Sequence, residues 1–313
     1  MTRVLILTRH PEEYRRLLES VGLPALEKLE TAKTPSAALA LGNDYEVVFG
    51  EPALIRKVLS SLPGLRWVQS IWAGVEPLLD PSLRRDYVLT NARGVFGGLM
   101  SEFVFSYLLL HERRIFQRFQ AQQEHQWDHS TTGSLRGKTI GLLGVGSIGT
   151  VLAGTAKHFG LNVRGYTRAS ESCRDVDFYY HGPGLADFAS GLDYLVNVLP
   201  DTAETRHIVD ASLLGRLPAH AVFINAGRGA TVDEPALVDA LQQGRLAMAV
   251  LDVLEQEPLP PAHLFWHTPN LYLTFHTSAP SLPADISLLL IENYRRYVAG
   301  QPLRYVVDFK RGY

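Results

Sequence analysis

Apolar residues along this chain fall into short runs of four or five, many of them β-branched. Between the runs lie longer stretches in which apolar positions recur every three or four residues. The runs read as strands buried on both faces and the stretches as covering helices, so the alternation predicts an α/β fold with parallel sheets. Up to residue 90, strands are predicted at 4–7, 45–49, 65–69 and 87–90, with helices at 12–18 and 53–59. A single long helix is predicted over 99–124, after the pair Gly97 and Gly98. From Lys138 a second set of six strands follows at 139–143, 162–166, 194–198, 222–225, 248–252 and 271–274. A helix at 285–298 and a tail at 301–313 are too short for a third domain and are expected to return to the first. The expected architecture is two doubly wound parallel-sheet domains with a cleft between them, residues 1–97 plus 281–313 and residues 98–280.

With 313 residues, 46% of them hydrophobic and 20% charged, the chain is long enough for two cores. A formal net charge of −2 and the absence of a long basic run give no electrostatic footprint for nucleic acid or an anionic membrane surface. The apolar run 103–110 falls short of the roughly 18 residues a membrane span needs. One cysteine, Cys173, cannot form an internal disulfide, and the chain opens on a strand instead of a targeting segment. A reduced, cytoplasmic protein is expected, with Cys173 exposed in its polar stretch and without a redox role.

Candidate chemistry begins at Gly144-Val145-Gly146-Ser147-Ile148-Gly149, a G-x-G-x-x-G run that follows a predicted strand and opens a predicted helix. In that context Gly144 permits a tight turn, Gly146 lets backbone N–H groups approach a pyrophosphate, and Gly149 allows close helix–strand packing, with Ser147 and Ile148 starting the helix. The second domain is therefore expected to be a Rossmann-like dinucleotide-binding domain and the first a flavodoxin-like, substrate-binding one. A cofactor with a free ribose 2′-hydroxyl wants an acidic residue about 20 positions beyond the glycines. The chain has Tyr166-Thr167-Arg168 there, and Thr167 and Arg168 suit a 2′-phosphate, so NADP(H) is expected in preference to NAD(H). Arg174 is a weaker candidate for a second phosphate contact.

Three further residues lie just after apolar runs. Arg228 follows the 222–225 strand, Glu257 the 248–252 strand, and His276 the 271–274 strand. Open α/β sheets bind ligands at the carboxyl ends of their strands, which is where all three are expected. Hydride transfer to a 2-oxo acid builds negative charge on the carbonyl oxygen. Arg228 supplies a cationic donor, His276 a proton, and Glu257 a carboxylate that keeps the histidine charged and aimed.

The segments Asn225-Ala226-Gly227-Arg228-Gly229, Asp252-Val253-Leu254-Glu255-Gln256-Glu257-Pro258-Leu259-Pro260 and Thr274-Phe275-His276 resemble the arginine, glutamate and histidine signatures of the D-isomer-specific 2-hydroxyacid dehydrogenase family. The resemblance runs through nearly the whole chain. Thr167-Arg168, the short interval from Glu257 to His276 and the closing Arg311-Gly312-Tyr313 are most similar to its bacterial NADPH-preferring glyoxylate/hydroxypyruvate reductase branch. The resemblance implies a homodimer with helices around residues 100–130 at the interface. It also implies that Asp252 contacts the nicotinamide carboxamide and that Leu199, Pro200, Thr205, Ala226, Gly227, His276 and Ser278 line the cofactor. Ala73-Gly74-Val75-Glu76 resembles the loop whose N–H groups grip the substrate carboxylate. Trp72 departs from the smaller residue usual before that loop, and either narrows the pocket or packs in the core. Leu254 replaces a usual Phe, and Gly227 stands where Ala is common.

The expected activity is NADPH-dependent reduction of a small 2-oxo acid to the D- or achiral 2-hydroxy acid. Two other readings stay open: an NAD-linked dehydrogenase of a bulkier hydroxy acid, and a non-catalytic dinucleotide-sensing binding protein. Arg93, in Asn91-Ala92-Arg93-Gly94, mimics the Arg228 signature but has no downstream partners and reads as an interdomain or surface residue. His125, Trp127, Asp128 and His129 lack the ligands that would complete a metal shell, and no metal is expected.

Overall fold

The computed structural model describes residues 1–312, so Tyr313 of the closing Arg311-Gly312-Tyr313 lies outside the described residues. The chain divides into two compact units, Met1–Val95 with Ser281–Tyr313, and Phe96–Pro280. The first dividing line falls two residues ahead of the expected one.

The first unit holds five parallel strands, β1 (Thr2–Leu7), β2 (Leu26–Ala32), β3 (Val47–Gly50), β4 (Trp67–Ser70) and β5 (Val88–Thr90), in the order β2-β1-β3-β4-β5. That is the flavodoxin-like order. Strands β3 and β4 are buried at every position; in β4 this includes the polar Gln69 and Ser70, whose side chains donate to the Ser70 and Trp72 carbonyls. β2 was not predicted. Its sequence, Leu-Glu-Lys-Leu-Glu-Thr-Ala, forms the sheet edge, where one side meets solvent and charged residues are tolerated. The tail returns as expected. Asn293, on the helix Pro283–Val298, is fully buried and donates from Nδ2 to Gln69 Oε1 (3.0 Å), while the Val307 N–H donates to the Leu89 carbonyl (2.8 Å).

The second unit holds seven strands where six were predicted: β6 (Thr139–Leu143), β7 (Asn162–Tyr166), β8 (Phe178–Tyr180), β9 (Tyr194–Asn197), β10 (Val222–Asn225), β11 (Met248–Leu251) and β12 (Leu271–Leu273). Their order is β12-β11-β10-β9-β6-β7-β8, and all pairs are parallel. The extra strand, β8, is a three-residue edge too short to carry a periodic signal. Successive side chains point to opposite faces, so Phe223 joins one core with Leu195 and Ala249, while Val222 and Ile224 join the other with Ile140, Val196 and Val250. The strand order reverses at β6, between β7 and β9, which sets the switch point at the loop after β6.

The predicted single helix over 99–124 is two helices, Gly97–Glu112 and Ile115–Gln123. Arg114 between them takes a left-handed conformation (φ 53°), a break announced by neither Gly nor Pro. Cys173 is 7% exposed and packs in the core, which corrects the expectation of an exposed thiol. Hydrophobic neighbours from β7 and its flanking helix enclose it despite its polar sequence context. No helix among the described residues is long and apolar enough to cross a membrane.

Candidate active site

Each glycine of the loop after β6 has a distinct steric reason. Gly144 has φ +98°, which L side chains avoid. A Cβ on Gly149 would lie 2.2 Å from the Gly144 carbonyl oxygen, so the helix Ser147–His158 packs on the strand only without one. Gly146, the residue before that helix, has open space where a Cβ would be, and Gly146 and Ser147 are exposed. An open backbone at a helix N-terminus beside a switch point fits a dinucleotide pyrophosphate. Ile148 is half-buried and packs against the core cluster that contains Ile140 and Leu152.

A buried polar network fixes the loops after β9 and β10 together. Asn197 Nδ2 donates to Asn225 Oδ1 (2.9 Å) and to Thr231 Oγ1 (2.6 Å). Asn197 Oδ1 accepts from the Leu199 N–H, and Asn225 Oδ1 from the Gly227 N–H, each at 3.1 Å. The Arg228 carbonyl accepts from Asn225 Nδ2 (3.1 Å) and Thr231 Oγ1 (2.5 Å), while its guanidinium donates from Nη1 to the Gly227 carbonyl (2.8 Å). The backbone that presents Arg228 is thereby held on both sides. A Cβ at Gly227 would lie 2.7 Å from the Leu199 carbonyl oxygen, so in this chain the glycine where Ala is common is a close-packing residue. Ala226 is buried beside it.

His276 Nδ1 and Glu257 Oε2 are 2.8 Å apart, and the other oxygen, Oε1, accepts from the Leu254 N–H (2.9 Å). The hydrogen bond to Glu257 raises the histidine's pKa above its ordinary value; burial and the Arg228 charge oppose this, while the charges of Glu257 and Asp252 add to it. Burial pushes Glu257 up. The hydrogen bonds from His276 and Leu254, with the charges of His276 and Arg228, outweigh it and hold the carboxyl below its usual value. Both directions favour the imidazolium–carboxylate pair. Arg228, Glu257 and His276 thus interact electrostatically beyond the ends of β10, β11 and β12.

Several residues hold this arrangement through bracing roles that sequence reasoning did not assign; Asp252 was named there only as a nicotinamide contact. Asp252 is 1% exposed, and its carboxylate accepts from Thr274 Oγ1 (2.7 Å), the Thr277 N–H (2.8 Å) and the Ser278 N–H (3.1 Å). The His276 N–H donates to the Asp252 carbonyl at 2.6 Å. Asp252 therefore braces the turn that displays His276, in which Phe275 and His276 both have positive φ (57° and 59°). Gly229 was noticed only as part of a motif, yet a Cβ there would fall 1.9 Å from the Leu254 carbonyl carbon, so the Arg228 loop meets the Glu257 loop in direct backbone contact. Glu234 accepts from the Glu255 N–H (3.0 Å) and secures the same loop. Paired polar residues just beyond strand ends were the available signal.

At the end of β7, Thr167 is 8% exposed and donates its hydroxyl proton to the Ser170 carbonyl (2.8 Å). His181 Nδ1 lies 3.2 Å from that hydroxyl and Nε2 lies 2.8 Å from Glu171, neither of which was foreseen. Arg168 is exposed and ion-paired with Glu204. Arg174 is also exposed, 3.9 Å from Asp175. Thr205 Oγ1 donates to the Pro200 carbonyl (2.6 Å), turning its hydroxyl into its own loop, and Leu199 packs near Gly144. Ser278 is buried, with its hydroxyl 3.4 Å from Met100 Sδ.

In the first unit, Trp72 is 38% exposed, which rules out the core-packed alternative. Its N–H and carbonyl are both bonded to Ser70 Oγ (2.9 and 2.8 Å), and Val75 is buried as the loop's anchor. The N–H groups of Ala73, Gly74 and Val75 have no hydrogen-bond partner among the described residues, an arrangement suited to an anion. Arg93 is half-buried after β5. No group of three or more His, Cys, Asp or Glu side chains among the described residues is arranged to hold a metal.

Residues 105–278 match the family described as D-isomer specific 2-hydroxyacid dehydrogenase, NAD binding domain. A glyoxylate/hydroxypyruvate reductase A of Serratia proteamaculans is 34% identical over 279 residues, 86% of this chain and 88% of that protein. Among solved structures, a D-isomer specific 2-hydroxyacid dehydrogenase family protein from Aeromonas salmonicida is 40% identical with a TM-score of 0.94, covering 98% of this chain and 99% of that one. An NADPH-dependent glyoxylate/hydroxypyruvate reductase from Sinorhizobium meliloti, in complex with NADP and sulfate, is 30% identical with a TM-score of 0.86 and full coverage of both chains.

Proposed function

The chain belongs to the D-isomer-specific 2-hydroxyacid dehydrogenase family, and from that premise we propose that it reduces a small 2-oxo acid of the glyoxylate or hydroxypyruvate type, using NADPH. The reductases it is similar to support the substrate class, and the neighbour solved with NADP supports the coenzyme. The carrying observation is the 2.8 Å His276–Glu257 pair, whose opposite pKa shifts both favour a charged imidazole within the field of Arg228.

Bound dinucleotide supplies the hydride that adds to the carbonyl carbon. The chain's own residues do the rest. The Arg228 guanidinium binds the substrate carboxylate, a task for which the N–H groups of Ala73, Gly74 and Val75 are also suited. Arg228 also stabilises charge building on the carbonyl oxygen. His276 gives its proton to that oxygen, leaving a 2-hydroxy acid and a neutral imidazole still hydrogen-bonded to Glu257. Gly144, Gly146, Ser147, Ile148 and Gly149 would hold the pyrophosphate, Arg168 with Thr167 would take the 2′-phosphate, Asp252 would contact the nicotinamide carboxamide, and Leu199, Pro200, Thr205, Ala226, Gly227 and Ser278 would line the cofactor. Trp72, exposed at the start of the Ala73–Val75 loop, is read as narrowing the substrate pocket.

The protein is further read as a cytoplasmic homodimer. No residue of the helix Ile115–Gln123 is buried, and Ile115, Phe116 and Phe119 are exposed apolar side chains that a second copy would cover. Oxidation of NADPH and of NADH across a panel of 2-oxo acids tests the activity. Turnover of glyoxylate and hydroxypyruvate with NADPH above all other combinations is expected. No turnover, or preference for NADH with a bulky 2-oxo acid, overturns it.

A further inference from the structure

The pair Arg168–Glu204 crosses the nucleotide loop from one side to the other. Arg168 stands two residues beyond β7, and Glu204 lies in the loop that follows β9. β6 runs between those two strands, and its glycine loop is tied to both neighbours: the Gly144 N–H donates to the Tyr166 carbonyl of β7, and the Val198 N–H just after β9 donates to the Leu143 carbonyl of β6, each at 3.0 Å. Parallel strands stand about 4.8 Å apart, so β7 and β9 flank the loop at roughly 10 Å from each other, a span for two long side chains. The ion pair joins the segment after β7 to the loop after β9 across that span. Both partners are exposed, with 57% and 70% of their side chains accessible.

An exposed ion pair of this kind is held weakly, whereas a phosphate dianion offers a guanidinium a charge-assisted fork. The two anions compete for one cation. From this geometry we propose that Glu204 is a coenzyme-selectivity residue: NADPH binding is a partner exchange in which the 2′-phosphate takes Arg168 from Glu204, and the released carboxylate then opposes the phosphate. NADH has no such phosphate and leaves the pair closed. Glu204 thus holds the preference for NADPH below the level that Arg168 alone would set. The inference rests on the reading of Arg168 as the 2′-phosphate contact.

Calorimetric titration of the full-length protein with adenosine 2′,5′-bisphosphate, adenosine 5′-monophosphate, NADPH and NADH tests it without turnover. For Glu204→Gln, the affinities for the bisphosphate and for NADPH should rise roughly three- to tenfold, with the monophosphate and NADH within about twofold of the unaltered protein. In an Arg168→Ala background the same substitution should lose most of that gain, because there is no guanidinium left to release. A gain shared equally by all four ligands, no gain at all, or a gain undiminished without Arg168 overturns the exchange. Arg168→Ala alone separates the two readings. Unchanged bisphosphate affinity in that variant defeats the phosphate assignment itself, whereas a loss with no Glu204→Gln effect defeats only the exchange.

Discussion

Protonation of His276 is governed by a carboxylate that burial alone would push toward neutrality. Glu257 stays ionised because it accepts from both the imidazole and the Leu254 N–H, and in turn it lifts the histidine's pKa. Reduction requires the imidazolium, so activity in that direction is present below the raised pKa and falls as pH rises through it. Glu257→Gln removes the charge that favours the proton. The alkaline limb of kcat/KM for 2-oxo acid reduction should then move to lower pH, and a limb that stays in place excludes Glu257 as the controlling group. Arg228, Glu257 and His276 were legible because each is a reactive residue type placed directly after an apolar run. The brace at Asp252 and the pairing of Arg168 with Glu204 were not, because partners 22 and 36 residues apart meet only in the folded chain.

At the scale of elements, the site is a set of short loops at strand ends, and their rigidity comes from side chains inside the protein. Asp252 accepts three hydrogen bonds from the turn that carries His276. Asp252→Ala leaves buried donors unpaired, each costing about 1–3 kcal/mol. The variant should lose several degrees of thermal stability and show a larger fall in kcat than rise in KM, as the imidazole loses its aim. Unchanged melting together with unchanged kcat would rule out a bracing role. Central strands such as β3 and β10 were legible from the apolar runs Val47-Val48-Phe49 and Val222-Phe223-Ile224. The edges β2 and β8 were not, since an edge strand is half solvated and three residues establish no period. The break at Arg114 and the left-handed Phe275 and His276 share a different cause: residues without a glycine's freedom adopt positive φ only under tertiary constraint, and local sequence carries no mark of it.

For the whole molecule, the proposed dimer is the property most open to a direct test. Phe119 is 61% exposed on a helix with no buried residue. Phe119→Asp should shift the protein from dimer to monomer in sedimentation velocity, and a dimer that persists unchanged moves the interface elsewhere. The division of the chain was readable from its tail, too short to stand alone yet apolar enough to be claimed by the first core. There, Asn293 is fully buried and Val307 bonds to β5. This threading sets an order of events during synthesis. The strands of the first unit precede the helix Pro283–Val298 that completes it, and all the strands of the 96–280 unit are made between the two. A nascent chain arrested near residue 280 would therefore hold every strand of the nucleotide-binding unit while the other unit, without its helix, stayed unsealed and open to proteases.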